Sequence, residues 1–91
     1  MLNCAICDGD VSFVHVVREM LESALQEKDL VGRITEYTDA RVLLYDVQEN
    51  TSFDLVISDI EMPYVSGMQL AAEIKERTLK STLALYWGKR I

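Results

Sequence analysis

Hydrophobic and polar residues along the chain follow two alternating periods. Four short apolar stretches, residues 2–7, 34–38, 53–59 and 82–87, have the β-branched and aromatic content of strands. The third contains an unbroken Leu-Val-Ile run, which predicts a strand buried on both faces. Between the stretches, apolar residues recur every three or four positions, which predicts three amphipathic helices. The β-α-β-α-β-α-β order is typical of a mostly parallel sheet with helices on both faces and right-handed crossovers.

The predicted helices begin at polar, acidic or glycine residues. Asp10 or Ser12 would cap the first helix, Thr38 or Asp39 would cap the second, and the third would cover Gly67–Arg77. Helical spacing also predicts which side chains face the core. These are Val14, Val17, Met20, Leu21, Ala24 and Leu25 in the first helix, and Met68, Leu70, Ala71 and Ile74 in the third.

Length and charge narrow the functional class. The 91 residues carry 15 Asp and Glu against 9 Lys and Arg, a net charge of −6, and 49% are hydrophobic. We therefore expect one globular domain over residues 1–91. Nucleic acid and anionic membranes select for Lys and Arg, so metal ions and basic partners match this chain better. There is no run of about 18 apolar residues and no basic leader, which predicts a cytoplasmic protein without membrane contact.

The two cysteines, Cys4 and Cys7, form a C-x-x-C pattern within the first predicted strand. Side chains at positions i and i+3 of a strand point to opposite faces, so this pair would neither close a disulfide nor chelate a metal. No second cysteine pair is present, and the single histidine, His15, lies in a predicted helix. We interpret both cysteines as small buried hydrophobic residues.

Acidic residues follow two of the predicted strands. Asp8 and Asp10 come after the first strand, and Asp59 ends the third. If these strands are neighbours, the three carboxylates meet at the sheet edge where such folds bind ligands. Close carboxylates favour a hard cation such as Mg²⁺, beside which one could act as the nucleophile of phosphoryl transfer. They could equally be ordinary strand-end and helix-cap residues, and spacing alone leaves both alternatives open.

The residues around Asp59 favour the first alternative. Within residues 54–70, a buried strand ends at Asp59, a Met-Pro turn follows, and Gly67 opens the next helix. An aspartate at a strand end, a Met-Pro turn and a glycine at these spacings together resemble the phosphoacceptor segment of response-regulator receiver domains. Residues 5–10 resemble the first strand and acidic pocket of that family, particularly receivers attached to LytTR-type DNA-binding domains. The resemblance covers essentially the whole chain and implies a flavodoxin-like (CheY-like) doubly wound parallel sheet.

Carried over residue by residue, the resemblance implies a phosphorylation site. Asp59 would accept the phosphoryl group of a histidine kinase and contribute to a Mg²⁺ site. Asp8 would hold the same Mg²⁺, and Glu61 would lend it a backbone carbonyl. Asp10 is a further candidate ligand, because in an extended backbone it faces the same way as Asp8, but it competes with a helix-capping role. The implied protein is a signalling module of a two-component system rather than an enzyme, with a LytTR-type output domain in the full-length protein.

The chain departs from the family pattern at three places. Gly9 stands where receivers usually carry a second acid. Gly88 lies near the position of the family's Ser or Thr at the end of the fourth strand, and no hydroxyl is expected after Thr82. The chain also ends before a fifth βα unit with its Lys and Pro, so we expect a receiver truncated to about four strands and three helices. Lys80 and Lys89 lack the context to replace that lysine and are interpreted as solvated surface charges.

Truncation would leave apolar surface uncovered. The fourth strand would be an open edge, and the first helix around Val14, Val17 and Leu21 would lack its usual cover, which favours association. We therefore expect a homo-oligomer formed through the C-terminal strand. Tyr86 and Trp87 would be either core residues or interface anchors.

Two other functions remain open. A pseudo-receiver would keep the fold for protein–protein contact and do no chemistry, which Gly9 and the missing Thr and Lys favour. A phosphatase of the haloacid-dehalogenase type is suggested by the Asp8-Gly9-Asp10-Val11 sequence, which resembles that family's nucleophile motif. The phosphatase hypothesis leaves the Met-Pro turn unexplained, and this chain has no counterpart of that family's distal lysine and acidic motifs.

Overall fold

A computed structural model of the protein describes residues 1–77 and 80–86. The strands are β1 (Leu2–Cys7), β2 (Gly32–Tyr37), β3 (Leu55–Asp59) and β4 (Thr82–Tyr86), and the helices are α1 (Val11–Glu27), α2 (Ala40–Gln48) and α3 (Gly67–Arg77). The predicted order of elements is confirmed. Among these described elements, no helix is long and apolar enough to cross a membrane.

The four strands form one parallel sheet in the order β2-β1-β3-β4. The chain therefore starts in the middle of the sheet, runs outward to β2, and returns past β1 to β3 and β4. This reversal makes the β1–β3 junction the switch point of a doubly wound sheet, where ligands of such folds bind beyond the carboxyl ends of the strands. The predicted fold class, a flavodoxin-like parallel sheet with three helices, is confirmed for the described residues.

Strand boundaries differ from the predicted ones where pairing or side chains intervene. β2 begins earlier, at Gly32, because all six of its residues pair with β1, starting with Gly32 opposite Leu2. β3 begins later, at Leu55, since the Asp54 carboxylate accepts a hydrogen bond from the Asn3 amide at 2.7 Å. Phe53 is nevertheless buried in the core. The predicted end of β4 at Trp87 lies outside the described residues.

A cluster of buried hydrophobic side chains, the core of the described residues, lies between the sheet and the helices α2 and α3. Its members are Ala5, Cys7, Tyr37, Ala40, Leu43, Val47, Phe53, Val56, Val65, Leu70 and Ile74. The Tyr37 ring packs edge-on against Phe53, and its hydroxyl donates a hydrogen bond to Asp46 of α2 at 2.5 Å. Cross-contacts of this kind fix α2 against the sheet.

Helix α1 packs on the other face and leaves part of it open. Val14 and Leu25 are buried as predicted, whereas Met20 is 68% exposed and Ala24 is also exposed. Phe13, Val17, Met20, Leu21, Ile57 and Tyr86 line an open apolar groove of about 370 Å³, which we call the α1 groove. The expectation that β3 is buried on both faces is therefore wrong at Leu55 and at Ile57, which are both half-buried. Ile57 is half-buried because it lines the α1 groove.

The remaining burial predictions have mixed outcomes. Leu70 and Ile74 of α3 are buried as predicted, but Met68 is 61% exposed. Val14 is fully buried, so the expectation that it lacks cover is wrong, while Val17 and Leu21 are half-buried. Helical periodicity identifies an apolar side of a helix, but the width of the contact with the sheet decides how much of that side is buried.

Both cysteines are completely buried and free, as predicted. Cys7 belongs to the core on the α2 and α3 face, and its sulfur lies 3.6 Å from the sulfur of Met62. Burial removes water from the thiolate form and raises the pKa of Cys7 to about 12. The Cys7 thiol is therefore protonated and unreactive at neutral pH.

Gly67 begins α3 in close contact with the backbone that follows β3. A Cβ atom at this position would lie 2.6 Å from the Cα of Ile60 and 2.9 Å from the carbonyl oxygen of Asp59. The Gly67 amide also donates to the Ile60 carbonyl at 2.9 Å. Only glycine allows this approach, because the colliding atoms are backbone and cannot rotate away.

Gly67→Ala is expected to lower the free energy of unfolding by about 1–3 kcal/mol, because the added methyl group must push the Asp59–Ile60 backbone aside. Urea denaturation measures this loss. Gly9→Ala is the matched control, since a Cβ at Gly9 would meet nothing closer than the Thr38 carbonyl at 4.0 Å. Equal stability of the two variants would contradict the packing described for Gly67.

Candidate functional site

Two buried carboxylates meet at the switch point of the sheet. Asp8 follows the last residue of β1, and Asp59 is the last residue of β3. These strands are direct neighbours, with Cys7 opposite Ser58. Asp8 is 0% and Asp59 is 3% exposed, although both are charged residue types that are almost never buried without partners. The structure therefore brings together the two acids that the sequence placed at strand ends.

Each carboxylate accepts a hydrogen bond from the backbone amide two residues further on. Asp8 Oδ1 accepts from the Asp10 amide at 2.8 Å, and Asp59 Oδ1 accepts from the Glu61 amide at 2.9 Å. Such Asx turns hold a side chain against its own backbone. They fix the orientation of both carboxylates at the carboxyl edge of the sheet.

Asp10 has a different role from its neighbour Asp8. Its carboxylate caps α1 by accepting hydrogen bonds from the amides of Ser12 at 3.0 Å and Phe13 at 3.3 Å. Of the two predicted caps, Asp10 is therefore the observed one. No group of three or more His, Cys, Asp or Glu side chains is arranged to hold a metal ion within residues 1–77 and 80–86. The observed role of the Asp10 carboxylate is therefore to cap the N-terminus of α1.

The loop after Asp59 is held by contacts to other elements. Glu61 is exposed, and the hydrogen bond that its backbone amide donates to the Asp59 carboxylate keeps the Glu61 backbone beside Asp59. Met62 packs against the core and touches Cys7. Tyr64 has a φ of 70°, unusual for a non-glycine residue, and the Arg41 guanidinium lies 3.8 Å from its ring centroid. This stacking ties the loop to the start of α2.

Sequence reasoning considered Tyr86 only as a core residue or interface anchor and missed its contact with the acidic site. The expectation that no hydroxyl follows Thr82 is wrong, because the phenolic hydroxyl of Tyr86 donates a hydrogen bond to Asp8 Oδ2 at 2.5 Å. Burial and this hydrogen bond raise the pKa of Tyr86, so its hydroxyl remains a donor at neutral pH. The pairing of Tyr86 with Asp59 in the β4 register was the signal that could have indicated this contact.

Three other positions considered in the sequence lie outside the described residues: Trp87, Gly88 and Lys89. Lys80 is exposed as predicted.

The chemistry of this donor set fits Mg²⁺. Asp8 and Asp59 supply carboxylate oxygens at the ends of two neighbouring strands, and the ion typically uses one or two carboxylates and keeps several waters. Two like charges buried together also need a cation or hydrogen-bond donors to be stable. A second acid at position 9 would have space, since Gly9 has no atom within contact distance of a Cβ except Thr38 O at 4.0 Å.

Three solved structures illustrate the similarity of this fold to known proteins. One is a response regulator receiver domain protein from Clostridium thermocellum, with a TM-score of 0.75 and 23% identity over 93% of this chain and 64% of that one. The BeF₃-activated DrrB receiver domain also has a TM-score of 0.75, with 22% identity over 93% and 64%. The chain thus spans less than two thirds of either protein.

The third is a chain in the complex of histidine kinase ThkA with response regulator protein TrrA, with a TM-score of 0.65 and 27% identity over 100% of this chain and 72% of that one. No curated protein sequence matches the chain. The sequence model of the response regulator receiver domain matches residues 6–86. This match includes both buried acids and all of the strand ends that form the site, and the chain therefore belongs to the response regulator receiver domain family.

Proposed function

We propose that this receiver accepts a phosphoryl group on Asp59 from the phosphohistidine of a histidine kinase. The observation that carries the proposal is the buried pair of Asp8 and Asp59 at the switch point. Of the two acids, Asp59 has the loop that positions an acceptor, with the Glu61 amide on its carboxylate and Gly67 against its backbone. Asp8 has its carboxylate held by the Tyr86 hydroxyl and the Asp10 amide.

The proposed step is a substitution at phosphorus. A carboxylate oxygen of Asp59 attacks the phosphorus atom, the new O–P bond forms as the P–N bond to the kinase imidazole breaks, and the imidazole leaves. The Asx turn to Glu61 removes rotational freedom from the attacking group before the step. Asp59 is 3% exposed, so its carboxylate is already largely desolvated before the attack.

Mg²⁺ is part of this proposal. Asp8, Asp59 and the backbone carbonyl of Glu61 would hold the ion, which neutralises charge on the phosphoryl oxygens when bound. Asp10 is a weaker candidate, because its carboxylate caps α1. The assignment of Asp8 is supported by its complete burial beside the acceptor.

Partners follow from the same proposal. The similar chain in the ThkA–TrrA complex supports a histidine kinase as the phosphodonor. We propose that the full-length protein also has a DNA-binding output domain of the LytTR type, which the resemblance of residues 5–10 to receivers attached to such domains supports. Direct contact of this domain with nucleic acid is disfavoured by its net charge of −6. The output domain would then carry the transcriptional response, and the receiver would control it in the cytoplasm.

Asp59→Asn is expected to abolish labelling by acetyl phosphate in the presence of Mg²⁺, because an amide has no charged nucleophilic oxygen. Intact-mass spectrometry followed by peptide mapping measures the label. Asp29→Asn is the matched control: it removes an equal charge at an exposed position with a φ of 54°, which asparagine tolerates, and should leave labelling unchanged. A label that persists in Asp59→Asn and maps to Asp8 would support the phosphatase alternative instead.

One of the observations that favour the pseudo-receiver alternative is Gly9, which supplies no second acid next to Asp8. Gly9→Asp is expected to tighten Mg²⁺ binding by roughly tenfold, since a further carboxylate adds attraction to a partly hydrated ion. Isothermal titration calorimetry measures the affinity, and Gly9→Asn, of the same shape without the charge, is the control. Unchanged affinity in Gly9→Asp would remove Mg²⁺ at Asp8 from the proposal.

We further propose that the domain self-associates through β4. Within the described part of the chain, β4 pairs only with β3, and it borders the α1 groove. A second copy pairing along β4 would satisfy the open edge and cover the apolar groove together. The exposed position Ala84 lies on this strand.

Ala84→Lys is expected to shift the protein from dimer to monomer at micromolar concentration, because a charge on an edge strand opposes pairing. Light scattering after size-exclusion chromatography measures the mass. Ser23→Lys, at an exposed position of α1, is the control and should remain dimeric. A wild-type monomer would contradict the β4 interface.

A further inference from the structure

Tyr86 connects three parts of the molecule. Its backbone in β4 is paired with Asp59 of β3, and its ring packs on Phe13 of α1 with centroids 5.5 Å apart at a tilt of 54°. Its hydroxyl donates to Asp8 Oδ2, beyond the end of β1. Because β3 lies between β1 and β4, the side chain reaches across the end of the acceptor strand to contact the other acid.

This hydrogen bond occupies an oxygen that a cation would use. Asp8 Oδ1 accepts from the Asp10 amide and Oδ2 accepts from Tyr86, so donors face both oxygens of the carboxylate. A hydrogen-bond donor and a cation are both attracted by the negative charge on a carboxylate oxygen. A short bond to a protonated phenol therefore lowers the affinity of Asp8 for a metal ion.

We propose that Tyr86 is a positioning residue of the cation site, whose hydroxyl holds Asp8 in the metal-free pocket and gives up this bond when a divalent cation binds. The inference rests on the proposed Mg²⁺ role of Asp8. It concerns a tyrosine on β4 that acts through Asp8, and it assigns Tyr86 no contact with the phosphoryl group.

The ring has room to make this movement. Tyr86 forms one wall of the open α1 groove, whose other lining residues are apolar. Rotation toward the groove keeps the ring against apolar side chains such as Phe13 while its hydroxyl reaches water. Cation binding at the strand ends would then change the shape of the α1 groove.

Tyr86→Phe tests the proposal, because it keeps the ring and its packing on Phe13 and removes only the hydroxyl. Calorimetric titration with Mg²⁺ alone is expected to show about tenfold tighter binding than in the wild type, which corresponds to the loss of one competing hydrogen bond to a charged group. Tyr45→Phe, on the exposed side of α2, is the control and should bind as the wild type does.

A second measurement can be made on the wild-type protein. Adding Mg²⁺ to the wild type should produce a tyrosine absorbance difference spectrum as the Tyr86 hydroxyl leaves Asp8. The same signal should persist in Tyr45→Phe and disappear in Tyr86→Phe. Unchanged or weaker Mg²⁺ affinity in Tyr86→Phe, or no binding by either protein, would overturn the proposal.

Failure of this inference is separable from failure of the proposed function. Acetyl phosphate labelling of Asp59 together with unchanged Mg²⁺ affinity in Tyr86→Phe overturns the role of Tyr86 and leaves the phosphoacceptor in place. Tighter Mg²⁺ binding in Tyr86→Phe without any labelling of Asp59 overturns the phosphoacceptor and supports Tyr86 as a residue that positions a cation ligand.

Discussion

Burial of two carboxylates at adjacent strand ends is the constraint around which this domain is built. Asp8 and Asp59 lose nearly all contact with water, which is costly for like charges unless donors or a cation compensate. The chain supplies donors by the same local device in both places, an amide two residues beyond each acid. The Tyr86 hydroxyl adds a third donor, directed at Asp8. These three hydrogen bonds offset part of the cost of removing the two carboxylates from water, and both acids remain at the carboxyl edge of the sheet.

The position of Asp59 depends on packing well outside the site. Gly67 lets α3 begin against the backbone of Ile60, and the sulfur of Met62 rests on Cys7 in the core. Tyr64 adopts a left-handed conformation that costs of order 1 kcal/mol for a bulky residue, and the stacked Arg41 offsets part of that cost. The loop that follows Asp59 is therefore anchored on one side by the core and on the other by α2.

Some features of the fold and the site could be predicted from the sequence and others could not, for physical reasons. Element order and the α3 bounds follow from periodicity, which is local, and the meeting of Asp8 with Asp59 follows from the topology of parallel sheets. The exposure of Met20 and Met68 was not predictable, because periodicity does not reveal which neighbours cover a helix. The role of Tyr86 was hidden for a related reason: its hydroxyl reaches an acid two strands away, and only the register of β4 makes that contact visible.

The position of the Tyr86 ring joins the chemistry of the site to the surface of the domain. The ring packs on Phe13 in the α1 groove, and its hydroxyl donates a hydrogen bond to Asp8 at the strand ends. Any event that changes the charge around Asp8 changes the strength of the hydrogen bond from the Tyr86 hydroxyl. The ring also lines the α1 groove, so it cannot move without changing the shape of that groove. A partner surface that covers the groove would conversely restrain the ring and with it the Asp8 carboxylate. By linkage, cation binding at the site and association over the α1 face would then influence each other's free energy by the same amount.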